Sequence, residues 1–164
     1  MKLFFIFALF LAKGFALEDQ TFNLRVDFKK AVLTVSKGEE LVMQFKVATP
    51  IVQKHSPVVG EVKKVEVGVN WYPTEPTRRA YKKRTGEELP KVVPAVHKLN
   101  AIGAGKIHIN WMSGNMSPVI MIHGTNDNAS IGQRVTRGCI RLRNEDFLVL
   151  AETIKGKKTS VIFE

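Results

Sequence analysis

The chain has 164 residues, of which 45% are hydrophobic, and its formal net charge is +10 at pH 7. This length supports one domain with a real core but not two, and the hydrophobic content excludes disorder as the default state. The positive charge predicts an anionic partner such as nucleic acid, a membrane surface or an acidic polymer, although surplus lysine can also serve solubility alone. The single cysteine excludes a disulfide within the chain.

Residues 1–16 have the pattern of a secretory signal peptide. Lys2 supplies the positive start, residues 3–12 form an unbroken apolar run, and Gly14-Phe15-Ala16 places small residues where a signal peptidase reads them. We expect cleavage after Ala16, export to the periplasm or cell envelope, and a single mature domain over residues 17–164. An uncleaved anchor is the alternative, but the apolar run is too short to span a bilayer in the mature protein.

The next part of the chain is typical of β-strands. Residues 22–49 alternate between apolar and polar positions, and the break at Lys37-Gly38-Glu39 predicts a β-hairpin turn. The β-branched pattern of residues 62–69 predicts a further strand, and residues 106–112 alternate again. Strands therefore dominate this part of the predicted fold.

Two features between these strands are candidates for the border of a binding site. Trp71 and Tyr72, which precede two prolines, either line a groove or pack a loop onto the sheet. Residues 78–91 are the most charged part of the chain. They form either a solvated face, as a short helix or mobile loop, or a lid over the site. Tyr81 is the only aromatic residue among them, so we expect no nucleic-acid binding.

Residues 144–154 predict an amphipathic helix. Asn144 is expected to cap it, and Gly156 is expected to end it. The predicted apolar face consists of Phe147, Leu148, Leu150, Ala151 and Ile154. With strands elsewhere, the expected fold class is mainly β: a β-rich α+β domain whose sheet curls around the active-site face, with one main helix.

Two of the histidines raise the question of metal binding. His97 and His108 have no carboxylate or second cysteine at ligand spacing, so we expect no metal site and assign both to structural or surface roles.

The stretch of residues 123–142 carries the chemically distinctive residues. Cys139, the only cysteine, follows Gly138, and His123 stands upstream at the end of the apolar run 119–122. The run predicts a buried strand that ends at His123. A lone cysteine with a separated histidine is the minimum set for a thiol nucleophile and its general base, because the thiolate reacts and an imidazole can take its proton. A buried structural cysteine is the alternative.

The neighbours of Cys139 fit the same chemistry. The backbone N–H groups of Gly138 and Cys139, with Arg137, are candidates to bind the oxyanion that forms during acyl transfer. Thr136 is expected to hydrogen-bond locally and fix the turn. Arg141 either orients the site and binds a substrate carboxylate or has a structural role. Positive charge from the nearby arginines is expected to lower the thiol pKa.

These residues resemble the signature of the L,D-transpeptidases, the YkuD-type cell-wall enzymes. That signature is a histidine-glycine pair, a spacer, and then Ser/Thr-x-Gly-Cys-hydrophobic-Arg. Here the pair is His123-Gly124, and the second half is Thr136-Arg137-Gly138-Cys139-Ile140-Arg141. Arg137 stands where many members carry histidine, although arginine and serine are also common at that position.

The resemblance implies a curled mixed sheet or β-sandwich of the L,D-transpeptidase type and a defined reaction. The backbone carbonyl of Gly124 would hold the ring of His123. Cys139 would attack the carbonyl of the third residue of a peptidoglycan stem tetrapeptide and release D-alanine. The acceptor would be an amine of a second stem, giving a 3→3 cross-link, or a lysine of an envelope lipoprotein.

Water as acceptor would make the protein an L,D-carboxypeptidase, and a non-catalytic wall-binding module is the alternative from another functional class. The resemblance further implies that no metal or organic cofactor is needed and that carbapenems acylate the cysteine. We also expect a monomer.

Overall fold

A computed structural model of the protein describes residues 21–51, 57–113 and 120–164. The predicted signal peptide lies outside these residues and stays a prediction. Along the described chain the elements are β1 (Phe22–Asp27), β2 (Val32–Lys37), β3 (Glu40–Lys46), β4 (Thr49–Pro50), β5 (Val58–Val67), α1 (Glu75–Thr85), β6 (Gly105–Trp111), β7 (Ile122–His123), a 3₁₀ turn (Asn128–Ser130), β8 (Arg134–Thr136), β9 (Ile140–Arg141), α2 (Asn144–Ile154) and β10 (Thr159–Phe163). Neither α-helix of this described part is long and apolar enough to cross a membrane.

Most of the strands form one mixed sheet. Its eight strands run in the order β3-β2-β1-β10-β5-β6-β7-β9, while β4 and β8 form a separate pair. In the large sheet, β1 pairs with β10 in parallel and β7 pairs with β9 in parallel. The predicted hairpin is confirmed as the antiparallel pair β2–β3, which turns between Lys37 and Glu40.

The sheet curls until its two edges meet. Ala48 follows the edge strand β3, and its N–H donates to the carbonyl of Arg141 in the opposite edge strand β9 at 2.9 Å. The N–H of Arg141 donates back to the carbonyl of Ala48 at 3.0 Å. Strand β9 is therefore held by β7 on one side and by Ala48 on the other. The expected mainly β class with a curled mixed sheet is confirmed.

The core lies on the inner face of this sheet. Ile107, Ile122 and Ile140 are aligned in register across β6, β7 and β9, and all three are fully buried. Farther along the sheet, the ring of Phe163 packs edge-on against Phe28 and Trp111, at centroid distances of 5.5 and 4.9 Å. Because successive side chains of a strand point to opposite faces, the residues next to these isoleucines lie on the outer face.

Helix α2 covers the core as the sequence pattern predicts, with two corrections. Its buried residues are Phe147, Leu150, Ala151 and Ile154, whereas Leu148 is 44% exposed and lies outside the buried face. Asn144 does not cap the helix: Arg143 occupies the N-cap position without a side-chain cap, and Asn144 is the first helical residue. The side chain of Asn144 is used elsewhere, at the candidate site.

The charged stretch contributes to a second helix, in agreement with the short helix that was one of the interpretations of residues 78–91. Helix α1 begins at Glu75, has a proline in its first turn and ends at Gly86, where φ is 77° and the N–H bonds the carbonyl of Lys82 at 2.8 Å. Basic residues fill its last turn, where their positive charges interact favourably with the negative end of the helix dipole. None of its residues is buried. Contacts with the core therefore contribute little to this helix, and its caps and charges favour it locally.

Candidate active site

The parallel pairing of β7 and β9 brings the two halves of the motif together. His123 is in register with Arg141, and Ile122 with Ile140, while the N–H of Ile140 donates to the carbonyl of Met121 at 3.0 Å. Because both isoleucines point into the core, His123 and Cys139 lie on the opposite, outer face. Both line a cleft there.

His123 is held in one tautomer by its neighbour. Its Nδ1 lies 2.5 Å from the carbonyl oxygen of Gly124, and since a carbonyl only accepts, Nδ1 carries the proton and Nε2 is left to accept one. Burial lowers the pKa of His123 to about 4, and the positive charge of Arg141 acts in the same direction, whereas the bond to Gly124 opposes the shift. At neutral pH the ring is therefore an uncharged base.

The thiol of Cys139 is also uncharged at neutral pH. Burial raises its pKa above the ordinary value of 9.0, although a hydrogen bond from the backbone of Met121 and the charge of Arg141 both lower it. Of the arginines expected to lower the thiol pKa, Arg141 acts in that direction, but the loss of hydration outweighs its charge. Arg141 also disfavours a protonated His123, so its charge opposes one half of a thiolate–imidazolium pair while favouring the other.

The turn before the cysteine is fixed by Thr136. Its buried hydroxyl donates to the carbonyl of Cys139 at 2.6 Å, and it accepts a long bond of 3.4 Å from the N–H of Gly138. Gly138 has a φ of 156°, and a Cβ there would lie 2.9 Å from the side chain of Ile120. A glycine is therefore required between Thr136 and the cysteine.

Asn144 is a residue of the site that the sequence interpretation missed. Its Oδ1 accepts from the N–H of Ala104 at 2.8 Å and from the N–H of Thr125 at 3.1 Å. It therefore ties the loop after His123 to the start of β6 and to helix α2. Gly103, at φ 64°, packs so closely that a Cβ would overlap this side chain. Gly103 thus makes room for Asn144, whereas a Cβ at Gly105 would overlap the carbonyl of Glu66 and the ring of Phe147.

The cleft has a volume of about 820 Å³. One wall is a face of helix α1 whose residues recur every three or four positions, namely Thr77, Ala80, Tyr81 and Arg84. Trp71 and Tyr72 form another part, and Trp71 is fixed by two backbone bonds to Val93 of 2.8 and 2.9 Å. Of the two interpretations of these aromatics, the geometry favours the groove. The charged stretch likewise supplies one wall of the cleft.

The positive residues of the motif also border this cleft. Arg137 is exposed at the rim, and Arg141 lines the cleft with its Nη1 3.7 Å from Asp127 Oδ2. The other two described histidines lie outside it. His108 Nε2 is 2.6 Å from Glu66 Oε2, and the Nδ1 of His97 accepts from the backbone of Leu99 at 3.2 Å. Within residues 21–51, 57–113 and 120–164, no group of histidine, cysteine and acidic side chains is arranged to hold a metal ion.

Comparison with known proteins gives the family. A sequence model of the L,D-transpeptidase catalytic domain, YkuD, matches residues 23–162, and the chain therefore belongs to this family. It is 41% identical over 105 residues to the probable L,D-transpeptidase ErfK/SrfK of Escherichia coli K12, which covers 63% of this chain and 31% of that protein. The chain thus spans about a third of the length of this relative.

Solved structures of the family share the fold. An L,D-transpeptidase from Mycobacterium smegmatis superposes with a TM-score of 0.59 over 87% of this chain and 58% of the other, at 14% identity. L,D-transpeptidase 3 from Mycobacterium tuberculosis, in complex with a faropenem-derived adduct, gives a TM-score of 0.54 over 87% of this chain and 60% of the other, at 16% identity. At such identities the likeness establishes the fold alone.

The raised thiol pKa predicts how Cys139 reacts with iodoacetamide. Because only thiolate is alkylated, the rate should rise about tenfold per pH unit between pH 7 and pH 9. Cys139 is the only cysteine, so the mass of the intact protein reports its labelling directly. The same protein in denaturant, with an ordinary thiol pKa, is the control and should react faster at pH 7. A rate that is flat from pH 6 to pH 8 would instead show a preformed thiolate–imidazolium pair.

The position of Asn144 predicts its contribution to stability. Asn144→Ala leaves two inward-facing N–H groups without their acceptor and should lower the free energy of unfolding by about 2–4 kcal/mol, measured by urea denaturation. Asn144→Asp keeps the acceptor oxygen and should retain most of the stability. Arg143→Ala is the matched control, since Arg143 is exposed and makes no side-chain cap. Equal stability of Asn144→Ala and Arg143→Ala would show that the bonds do not hold the loop.

Proposed function

We propose that the protein is a peptidoglycan L,D-transpeptidase whose nucleophile is Cys139 and whose general base is His123. The observation that carries this proposal is the pairing of β7 with β9, which places a single thiol and an Nδ1-protonated imidazole on one face of a cleft. Family membership supports acyl transfer, and the printed names of the relatives support L,D-transpeptidation.

The reaction begins when a stem tetrapeptide places the carbonyl of its third residue at the sulfur of Cys139. Because the thiol and the imidazole are both neutral, the proton moves from sulfur to Nε2 of His123 as the carbon–sulfur bond forms. The Nδ1 bond to the Gly124 carbonyl strengthens as the ring becomes positive. The buried thiol and imidazole therefore become charged only while the substrate is reacting.

The tetrahedral intermediate needs donors for its negative oxygen. The backbone N–H groups of Gly138 and Cys139, with Arg137, are the proposed donors, and such donors typically stabilise the transition state by about 3–4 kcal/mol each. The long bond from Gly138 N–H to Thr136 can be given up at little cost. Collapse of the intermediate breaks the peptide bond, and the imidazolium of His123 protonates the departing D-alanine amine.

The acyl group on Cys139 is then transferred to an acceptor. An amine of a second stem gives a 3→3 cross-link, and a lysine of an envelope lipoprotein gives protein attachment. Water gives L,D-carboxypeptidase activity instead. These reactions place the protein in the periplasm or cell envelope after signal cleavage, acting as a monomer without a metal or organic cofactor. Its positive charge suits the carboxylate-rich wall.

Two acyl donors test this proposal on the same protein. With tetrapeptide muropeptides, D-alanine should be released and a thioester should form on Cys139. Imipenem should give an adduct at the same residue because its strained carbonyl meets the same nucleophile. Mass spectrometry of the intact protein, with peptide mapping, locates both adducts. Cys139→Ala should form neither, and His123→Ala should acylate about 10²–10⁴-fold more slowly.

The control for the base is His108→Ala, which removes a histidine outside the cleft and should acylate at nearly the normal rate. An adduct that persists in Cys139→Ala would refute the nucleophile, and equal damage from His108→Ala and His123→Ala would refute the base. If folded protein forms no adduct with either donor, the wall-binding module becomes the better description.

A further inference from the structure

A row of polar side chains crosses the outer face of the sheet through the candidate base. Glu66 of β5 is in register with Lys106 of β6, Lys106 is in register with His123 of β7, and His123 is in register with Arg141 of β9. Directly opposed residues on neighbouring strands have their Cβ atoms about 4.5–5.5 Å apart. Lys106 is therefore the residue directly opposite His123 on β6, on the side away from Cys139.

The charge of Lys106 is only weakly balanced by the acid beside it. Its Nζ lies 3.8 Å from Glu66 Oε2, which is beyond a direct hydrogen bond. The same carboxylate binds Lys64 at 2.9 Å and His108 at 2.6 Å, and the bond from Lys64 holds its pKa below the ordinary value. One negative charge is thus shared among several donors, and its two shortest bonds go to residues other than Lys106.

The cleft around Lys106 lacks negative charge. Among the described residues that line it, Arg84, Lys106, Arg137 and Arg141 carry positive charge and none is acidic. Lys106 differs from Arg84 and Arg137 because it stands on a central strand and its side chain is 24% exposed. It differs from Arg141 because that residue belongs to the motif and faces Asp127. A cation on a central strand, next to the base and with little exposure to solvent, is suited to bind an anion that enters with the substrate.

We propose that Lys106 binds a carboxylate of the donor peptide and thereby determines which donors the cleft accepts. This inference rests on the proposed function, since it concerns the donor in that reaction. A stem tetrapeptide carries carboxylates at its terminal D-alanine and on its glutamate, and it carries a third where the residue at the third position is a diaminodicarboxylic acid. Each of these carboxylates has the negative charge that Lys106 would bind. Replacing them by amides one at a time identifies the carboxylate that Lys106 contacts.

The test measures binding separately from reaction. Calorimetry with protein carrying Cys139→Ala, which cannot be acylated, gives the Kd of the tetrapeptide and of versions in which one carboxylate at a time is an amide. Lys106→Met in this background should weaken binding of the free tetrapeptide about tenfold or more, as expected for the loss of a charge-assisted hydrogen bond. Lys106→Arg should keep most of the affinity. One of the amides should bind equally to Lys106→Met and its parent, which identifies the carboxylate.

Lys63→Met is the matched control. Lys63 is an exposed cation of the neighbouring strand β5 that does not line the cleft, so its loss should leave the Kd unchanged. Equal weakening by Lys63→Met, or weakening by Lys106→Met that persists with every amide, would overturn the proposal. So would an unchanged Kd in Lys106→Met, or a parent that binds none of the peptides. Thioester formation by protein with intact Cys139 reports on the proposed function independently.

Discussion

The candidate site depends on the register between two very short parallel strands. β7 and β9 contain two residues each, and their pairing places His123 beside Arg141 and Cys139 beside Met121. A slip of one residue would turn the thiol into the core, because side chains alternate between the faces. Strands this short do not hold a register alone. The curl of the sheet supplies the restraint, because two backbone hydrogen bonds join Ala48 to the outer edge of β9 and because β7 is paired with β6.

Burial on the outer face then determines the charge state of the pair. A thiolate and an imidazolium would both lose hydration here, so the thiol pKa rises and the imidazole pKa falls to about 4. Arg141 cannot offset this for the pair as a whole, because it stabilises the anion and destabilises the cation. The resting pair is therefore neutral. In the proposed reaction, the pair ionises only when a bound carbonyl takes the electron pair of the sulfur.

The sequence predicts those features that depend on local pattern. Alternation and a glycine turn identified the β2–β3 hairpin, and periodicity identified α2. The family was recognised by the resemblance of the motif around His123 and Cys139 to a known signature. Features that depend on distant contacts were missed. Asn144 is a residue type that commonly caps helices. Its Oδ1 instead accepts from the backbone N–H of Ala104, forty positions away. The net rise of the thiol pKa was also missed, because burial is a tertiary property that the sequence positions of the arginines do not reveal.

The charge and tautomer of His123 provide the most direct test of this account. Nitrogen-15 NMR of the imidazole rings, assigned by comparison with His123→Gln, reports which nitrogen holds the proton and at what pH the ring charges. The account predicts a ring protonated on Nδ1 that stays neutral from pH 8 down to about 4. A midpoint near the ordinary value of 6.5, or a neutral ring protonated on Nε2, would contradict it.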